Sequence, residues 1–376
     1  MKLGAIFSRN LFIFYIFAFI PLLSSVPYAE GSCATIAVRK EIRQFTTQER
    51  IDFINAVKQL NQGVRPSRYD LLTKWHQEAT AYAHYQPQFL PWHRAYLREY
   101  EKALQSINPN VVIPYWNWSE DYLNPISSPV FSNDWCGGSG SCVSTGPFAN
   151  WQVTYKDYDQ TSPHCLQRSL ENLKGYVADP TTIQHIVYSN NRYQDFHPAI
   201  EGNPHAGIHN GVGGDMATMA GPNDPIFYMH HAYIDKIWAD WQKRDPLYVY
   251  QYGGTNKDGS RVYISDYLKP FNIQVASVMP TTSDNLCYVY QDYPETTMTS
   301  QSIIDDEGAT QNKSKPPRPK PAIIPKLKRQ PDSWILMMGG NITQVREQEN
   351  KLFKFIDQFN LNVTLNRPLR IDIKIH

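Results

Sequence analysis

Residues 203–241 read NPHAGIHNGVGGDMATMAGPNDPIFYMHHAYIDKIWADW, a helix, a glycine-rich turn and a second helix that carry four of the chain's histidines. His205 and His209 stand four residues apart, which places both side chains on one face of a helix. Gly211, Gly213 and Gly214 then stop that helix. Asn223 or Asp224 is placed to cap the next one, with Pro225 in its first turn. That second helix runs to about Lys243 and presents His231. Imidazoles from two packed helices can hold one metal ion. The HExxH pattern is absent, because position 206 is Ala, so a zinc-protease reading lacks its general base.

A second triplet lies upstream, in WHQEATAYAHYQPQFLPWHR at 75–94. His76 falls on a helix expected over about Tyr69 to Thr80, and His93 on one from about Trp92 to Ser106, with His84 in the loop between. Thr46 followed by Glu49 forms a capping-box pattern, opening an earlier helix with Ile51, Ile54, Val57 and Leu60 at helical spacing. Six imidazoles without a carboxylate or thiolate favour copper over calcium, magnesium or iron; zinc stays chemically open.

The remainder of the chain bounds the setting. An aromatic content of 13% over 376 residues suits a well-packed core, and a net charge of +1 gives no reason to expect a nucleic-acid partner. Lys2 and Arg9 precede an apolar run from Leu11 to Leu23, with small and polar residues up to Gly31. This is the layout of a secretory signal cleaved between Ala29 and Ser32, too short for a lasting membrane anchor. In an oxidising compartment Cys136 and Cys142, flanking a Gly/Ser loop, are the easiest local pair. Cys33 with Cys287 would then close the domain and Cys165 would stay unpaired. Sequons at Asn117, Asn312, Asn341 and Asn362 suit a secreted glycoprotein. Residues 111–200 look irregular, with short helices near Leu166 to Asn172 and Thr181 to Val187. Residues 294–334 read as a Pro/Lys-rich linker carrying the dibasic pair Lys328-Arg329, and 335–376 as a tail that alternates weakly and is β-prone.

FLPWHRAYL at 89–97 and NDPIFYMHHAYIDKIW at 223–238 resemble the two copper-binding signatures of the tyrosinase family of type 3 copper proteins, a similarity that covers roughly Arg39 to Tyr290. The resemblance implies a mainly α fold: a four-helix bundle core holding a dinuclear copper site, with long irregular loops and a few short strands, over 31–293. It implies His76, His84 and His93 on the first copper and His205, His209 and His231 on the second. His230 points about 100° away from His231 on the helix and would not ligate. Two copper ions and dioxygen would oxidise small phenols, o-diphenols above all, to o-quinones, the phenol stacking on His209 in a pocket that includes Ala206, Asn210 and Met219. Glu201 matches a glutamate that orients a water for phenol deprotonation, or serves as a helix-start carboxylate. Asp235 would orient a ligand imidazole or merely be solvated.

Ala206 stands where relatives with good monophenol activity often carry Asn, which tilts the expectation toward ready-made catechols. Tyr82 stands where some relatives have a thioether-forming cysteine. Tyr288-Val289-Tyr290 resembles the element that closes this domain on an arginine, Arg39 or Arg43. The tail is too short for the full lid domain of latent relatives, but long enough for a partial lid. The alternatives are a haemocyanin-like oxygen binder and a zinc-loaded, tautomerase-like relative. His164, His185, His197 and His376 match no motif and are read as ordinary.

Overall fold

The computed structural model describes residues 33–157, 160–293, 323–365 and 367. The signal-like segment, Asn312 and most of the linker lie outside them. No helix among the described residues is long and apolar enough to cross a membrane.

Among the described residues the α-helices are, in order, α1 Thr47–Leu60, α2 Arg68–Glu78, α3 Thr80–Ala83, α4 Phe89–Gln105, α5 Pro180–Ser189, α6 Tyr193–Ile200, α7 Ala206–Val212, α8 Ile226–Lys243, α9 Asp332–Met337 and α10 Ile342–Thr364. α4 packs directly on α8, with α1 against α4 and α5 against α8. Thr46 and Glu49 cap α1 reciprocally, and Ser67 and Asp70 do the same for α2. Asp224 caps α8 by accepting the Ile226 N–H at 2.9 Å. Arg168 holds both oxygens of Asp224 at 2.6 and 2.8 Å and also donates to the carbonyls of Cys136, Gly137 and Gly138, tying the glycine loop to the start of α8. Nearly every α8 residue from Ile226 to Trp241 is buried, so this helix is the axis of the core. In 111–200 the structure has 3-10 turns, a hairpin of β2 (Gln152–Lys156) and β3 (Gln160–Cys165), and α5. It also has α6, which the sequence reading missed because Pro198 sits inside it.

β1 (Ala37–Arg39) pairs in parallel with β6 (Tyr288–Tyr290), with β4 (Tyr267–Leu268) and β5 (Ile273–Gln274) between them in the chain. The closing arginine is Arg39, with its guanidinium 3.5 Å from the Tyr288 ring centre. Arg39 is fully buried and paired with Glu101 at 3.0 Å. Asp235 neither orients an imidazole nor meets solvent: it accepts from Arg94 at 2.5 Å, from Tyr290 at 2.7 Å and from Tyr288. It therefore locks α8 to α4 and β6.

The cysteine expectation fails in part. Cys33 does bridge to Cys287, but the second bridge is Cys142–Cys165 and Cys136 is a buried free thiol. Closeness in sequence did not decide the pairing, because Cys136 faces the core whereas Cys142 meets the end of β3. Peptide mapping without reduction is expected to recover these two bridges, with only Cys136 alkylated after unfolding. Cys165→Ser is expected to cost about 3 kcal/mol, as for loops of comparable length.

The tail also departs from expectation. Up to Leu365 its described part is mainly helical, with residues 368–376 outside the described residues: Val345, Glu349, Leu352, Ile356 and Phe359 line one buried stripe of α10 at three- and four-residue spacing. Residues 323–331 are extended but bound, not a free linker. The Lys328 N–H donates to Gly175 O at 2.7 Å, Asn203 donates to Lys328 O at 2.9 Å, and Arg329 pairs with Glu349. Of the sequons, Asn117 is buried with its oxygen taken by Ser119 at 2.6 Å, whereas Asn341 is exposed at the start of α10.

Candidate metal centre

Two all-histidine groups gather in the core, His76/His84/His93 and His205/His209/His230/His231, each with its ligand atoms within 4.8 Å of one another. All seven side chains are at least 97% buried. His76 comes from α2, His84 follows α3, His93 comes from α4, and His231 from α8. His205 closes a π-turn over Glu201–His205 that runs straight into α7, which carries His209. A π-turn at a functional site is a recurrent arrangement. The two groups meet where His93 stacks on His231, with ring centres 4.3 Å apart. Phe89 packs on His205 at 4.7 Å and Phe227 on His231 at 4.2 Å, so the rings sit in an apolar cage.

The ring tautomers follow from backbone carbonyls. Nδ1 of His76 faces Met219 O at 2.9 Å, that of His93 faces Phe89 O at 2.8 Å, that of His205 faces Glu201 O at 3.1 Å, and that of His209 faces Met216 O at 2.7 Å. A carbonyl only accepts, so each Nδ1 carries the proton and each Nε2 keeps its lone pair. Nε2 of His76, His84, His93 and His205 has no hydrogen-bond partner among the described residues. Nε2 of His209 and of His231 lie 3.3 Å apart. Two nitrogens on one tetrahedral ion at ~2.0–2.1 Å would sit ~3.3 Å from each other. Burial pushes His76 down to about 3 and His209 to about 4, and holds the other imidazoles well below their ordinary value. The rings are thus neutral donors at physiological pH. Two copper ions fit this donor set.

His230 belongs to the second group by distance but not by chemistry. Its Nδ1 accepts the Trp118 indole N–H at 3.1 Å, and indole nitrogen can only donate. The lone pair on Nδ1 is therefore used and the proton sits on Nε2, leaving no free donor for a metal.

Around the second group, Ala206 and Met219 form a small buried cluster with Trp334 and Met338. Asn210 donates to Ala206 O at 3.0 Å, and the Gln330 side-chain amide lies against Asn210 and Ala206, its nitrogen placed to donate to Ala206 O at 3.2 Å and its oxygen to accept the Gly207 N–H at 3.3 Å. The Trp334 ring lies 6.1 Å from His209 and 6.4 Å from His205. Glu201 is buried: one oxygen accepts the Tyr85 amide N–H, the other faces His197 Nε2 at 3.4 Å, and its carbonyl orients His205. It joins the loop after His84 to the turn that ends in His205. Trp334 and Gln330 were not singled out from the sequence, and no local motif could have found them.

A family model described as the common central domain of tyrosinase matches residues 66–244. The tyrosinase-like protein phomQ1 of Diaporthe leptostromiformis is 34% identical over 309 residues, covering 69% of this chain and 78% of that protein. A tyrosinase of Streptomyces antibioticus is 34% identical over 262 residues, covering 63% and 93%. Among solved structures, a polyphenol oxidase from Thermothelomyces thermophila matches with a TM-score of 0.62 at 26% identity, covering 68% of this chain and 89% of that one. An octopus hemocyanin functional unit, at a TM-score of 0.50 and 21% identity over 68% of each chain, shares the fold. With relatives at this identity matched over most of their length, and both histidine groups in place, the chain belongs to the tyrosinase family of type 3 copper proteins and is a copper oxidoreductase of that type.

Proposed function

We propose that this chain is a secreted phenol oxidase that converts o-diphenols to o-quinones with dioxygen. The observation that carries this reading is the convergence of Nε2 from six buried neutral imidazoles: those of His76, His84, His93 and His205 have no partner among the described residues, and those of His209 and His231 face each other at 3.3 Å. His76, His84 and His93 would hold one copper, and His205, His209 and His231 the other; bound copper would supply the redox chemistry with dioxygen. Each o-diphenol gives up two electrons and two protons, and dioxygen leaves as water. The chain's own residues do the remainder. Backbone carbonyls fix the tautomers of His76, His93, His205 and His209, while Phe89 and Phe227 keep water from the rings. The phenol stacks on His209, with Ala206, Asn210 and Met219 shaping the pocket. Glu201 orients a water near the phenolic proton. Two disulfides support the secreted reading.

The tail acts as a partial lid, since Trp334 covers the His209 face on which a phenol would stack. A covered site that admits dioxygen but not phenol would behave as an oxygen binder, and this is the one observation favouring the haemocyanin-like reading. Copper-loaded protein given catechol and tyrosine separately decides between them. Quinone from catechol supports the oxidase. Reversible oxygen uptake without quinone, also after Trp334→Ala, would contradict it.

Ala206 leaves no side-chain amide to partner Glu201, so tyrosine should be a poor substrate. Ala206 is fully buried against Trp334, and an added carboxamide needs that space. In a Trp334→Ala background, Ala206→Asn is expected to raise the ratio of tyrosine to catechol turnover by about 10-fold, less than the ~100-fold or more that a positioned proton acceptor itself contributes, because Asn would only orient Glu201. Brisk tyrosine turnover by the chain with Ala206 would overturn this assignment.

A further inference from the structure

His164 lies outside both histidine groups, near the end of β3. Both of its ring nitrogens face oxygen: Nδ1 is 2.7 Å from Ser162 O and Nε2 is 2.8 Å from Asp215 Oδ1. Neutral imidazole has one N–H, so only the protonated ring satisfies a carbonyl and a carboxylate together. Asp215 is 5% exposed and also accepts the Gln167 N–H at 2.9 Å and the Asn223 amide at 2.8 Å. The residue after Asp215 is Met216, whose carbonyl accepts the Nδ1 proton of His209 at 2.7 Å.

The backbone between these contacts has little freedom. Gly213 and Gly214 have φ of +66° and +55°, and a Cβ on Gly214 would lie 2.1 Å from Gln167 O. The Asp215 N–H donates back to that same carbonyl at 3.1 Å. Cys165, next to His164, is tied to Cys142, so the strand end is anchored as well. A shift of Asp215 is thus passed to the Met216 carbonyl with few ways to relax.

We propose that His164 is a positioning residue for the second metal half-site, acting through Asp215 and the Met216 carbonyl to hold His209 in its metal-binding tautomer and orientation. This rests on the assignment of His209 as a ligand. The hydrogen bond to Asp215 holds His164 above its ordinary value, with the Ser162 carbonyl adding to it; partial burial and Lys156 on β2 act in the opposite direction. A raised value in the folded state means the contribution is fully present below about 6.5 and fades as pH rises through the folded value. Affinity for the second copper should therefore weaken on the alkaline side.

The test uses the full chain with 15N-labelled histidine and copper competition against a chromophoric chelator. In the metal-free protein at pH 7, His164 is expected to show both nitrogens protonated, and His209 only Nδ1. His164→Phe should mix the His209 tautomers and weaken the second copper by about 10-fold, the lower end of what outer partners of ligands contribute. His164→Gln, which keeps a donor toward Asp215, should recover part of that loss and show no alkaline step. The proposal is overturned if His164 carries a single proton at pH 7, or if His164→Phe changes neither the His209 signals nor copper affinity. Fewer than two coppers on the unaltered chain would count against the ligand assignment instead, and the nitrogen signals would still read the link from His164 to His209.

Discussion

His231→Ala is expected to leave the chain with one copper and to lower quinone formation by more than ~100-fold, the upper end of the loss when only an outer partner of a ligand is removed. His230→Ala, one position away, is expected to keep both metals. Its loss strands the Trp118 indole N–H in a buried site, a cost of about 1–3 kcal/mol that appears as a lower Tm. The pair of variants separates ligation from packing, because both rings are buried and lie 5.0 Å apart. Metal analysis with thermal unfolding reads both effects. Loss of a copper from His230→Ala, with retention in His231→Ala, would reverse the assignment.

Combining Trp334→Ala with Gln330→Ala is expected to raise kcat/KM for catechol about 10- to 100-fold. Gln330 is buried and joins Ala206 and Gly207 on α7 to the tail, while Trp334 lies over His209 and His205. If the closed arrangement outweighs the open one by that factor, apparent substrate affinity falls by the same factor. The effect should appear mainly in KM, since no proposed metal ligand is altered. Arg346 and Arg329 both pair with Glu349, which also accepts the Gln330 N–H at 2.7 Å, so the tail keeps other anchors in this variant. An unchanged KM would show that the tail does not gate the site.

The histidine groups were legible because helix periodicity and the two long signatures act locally. His205 and His209 share a face by spacing alone, and Asp224 with Pro225 marks where α8 begins. The partners that set tautomers were not legible, since the carbonyls of Met216 and Met219 are brought in by loop path and not by residue type. Asp235 illustrates the same limit: helix position suggested an imidazole or solvent, and tertiary packing supplied Arg94 and two tyrosines instead. Helix α10 was not legible because its apolar stripe is sparse, one residue in three or four among polar neighbours, whereas most of the alternating stretch at 363–376 lies outside the described residues. Cysteine pairing failed for the opposite reason: a short loop looked sufficient, but Cys136 turns into the core.

The assignment of three imidazoles to each of two copper ions underlies the readings above. Its most direct test is the copper-to-protein ratio of the full chain after loading, by elemental analysis, with His93→Ala and His231→Ala alongside. Two coppers on the unaltered chain and one on each variant is the expected result. A single copper on the unaltered chain, or zinc retained in preference to copper, would contradict the account.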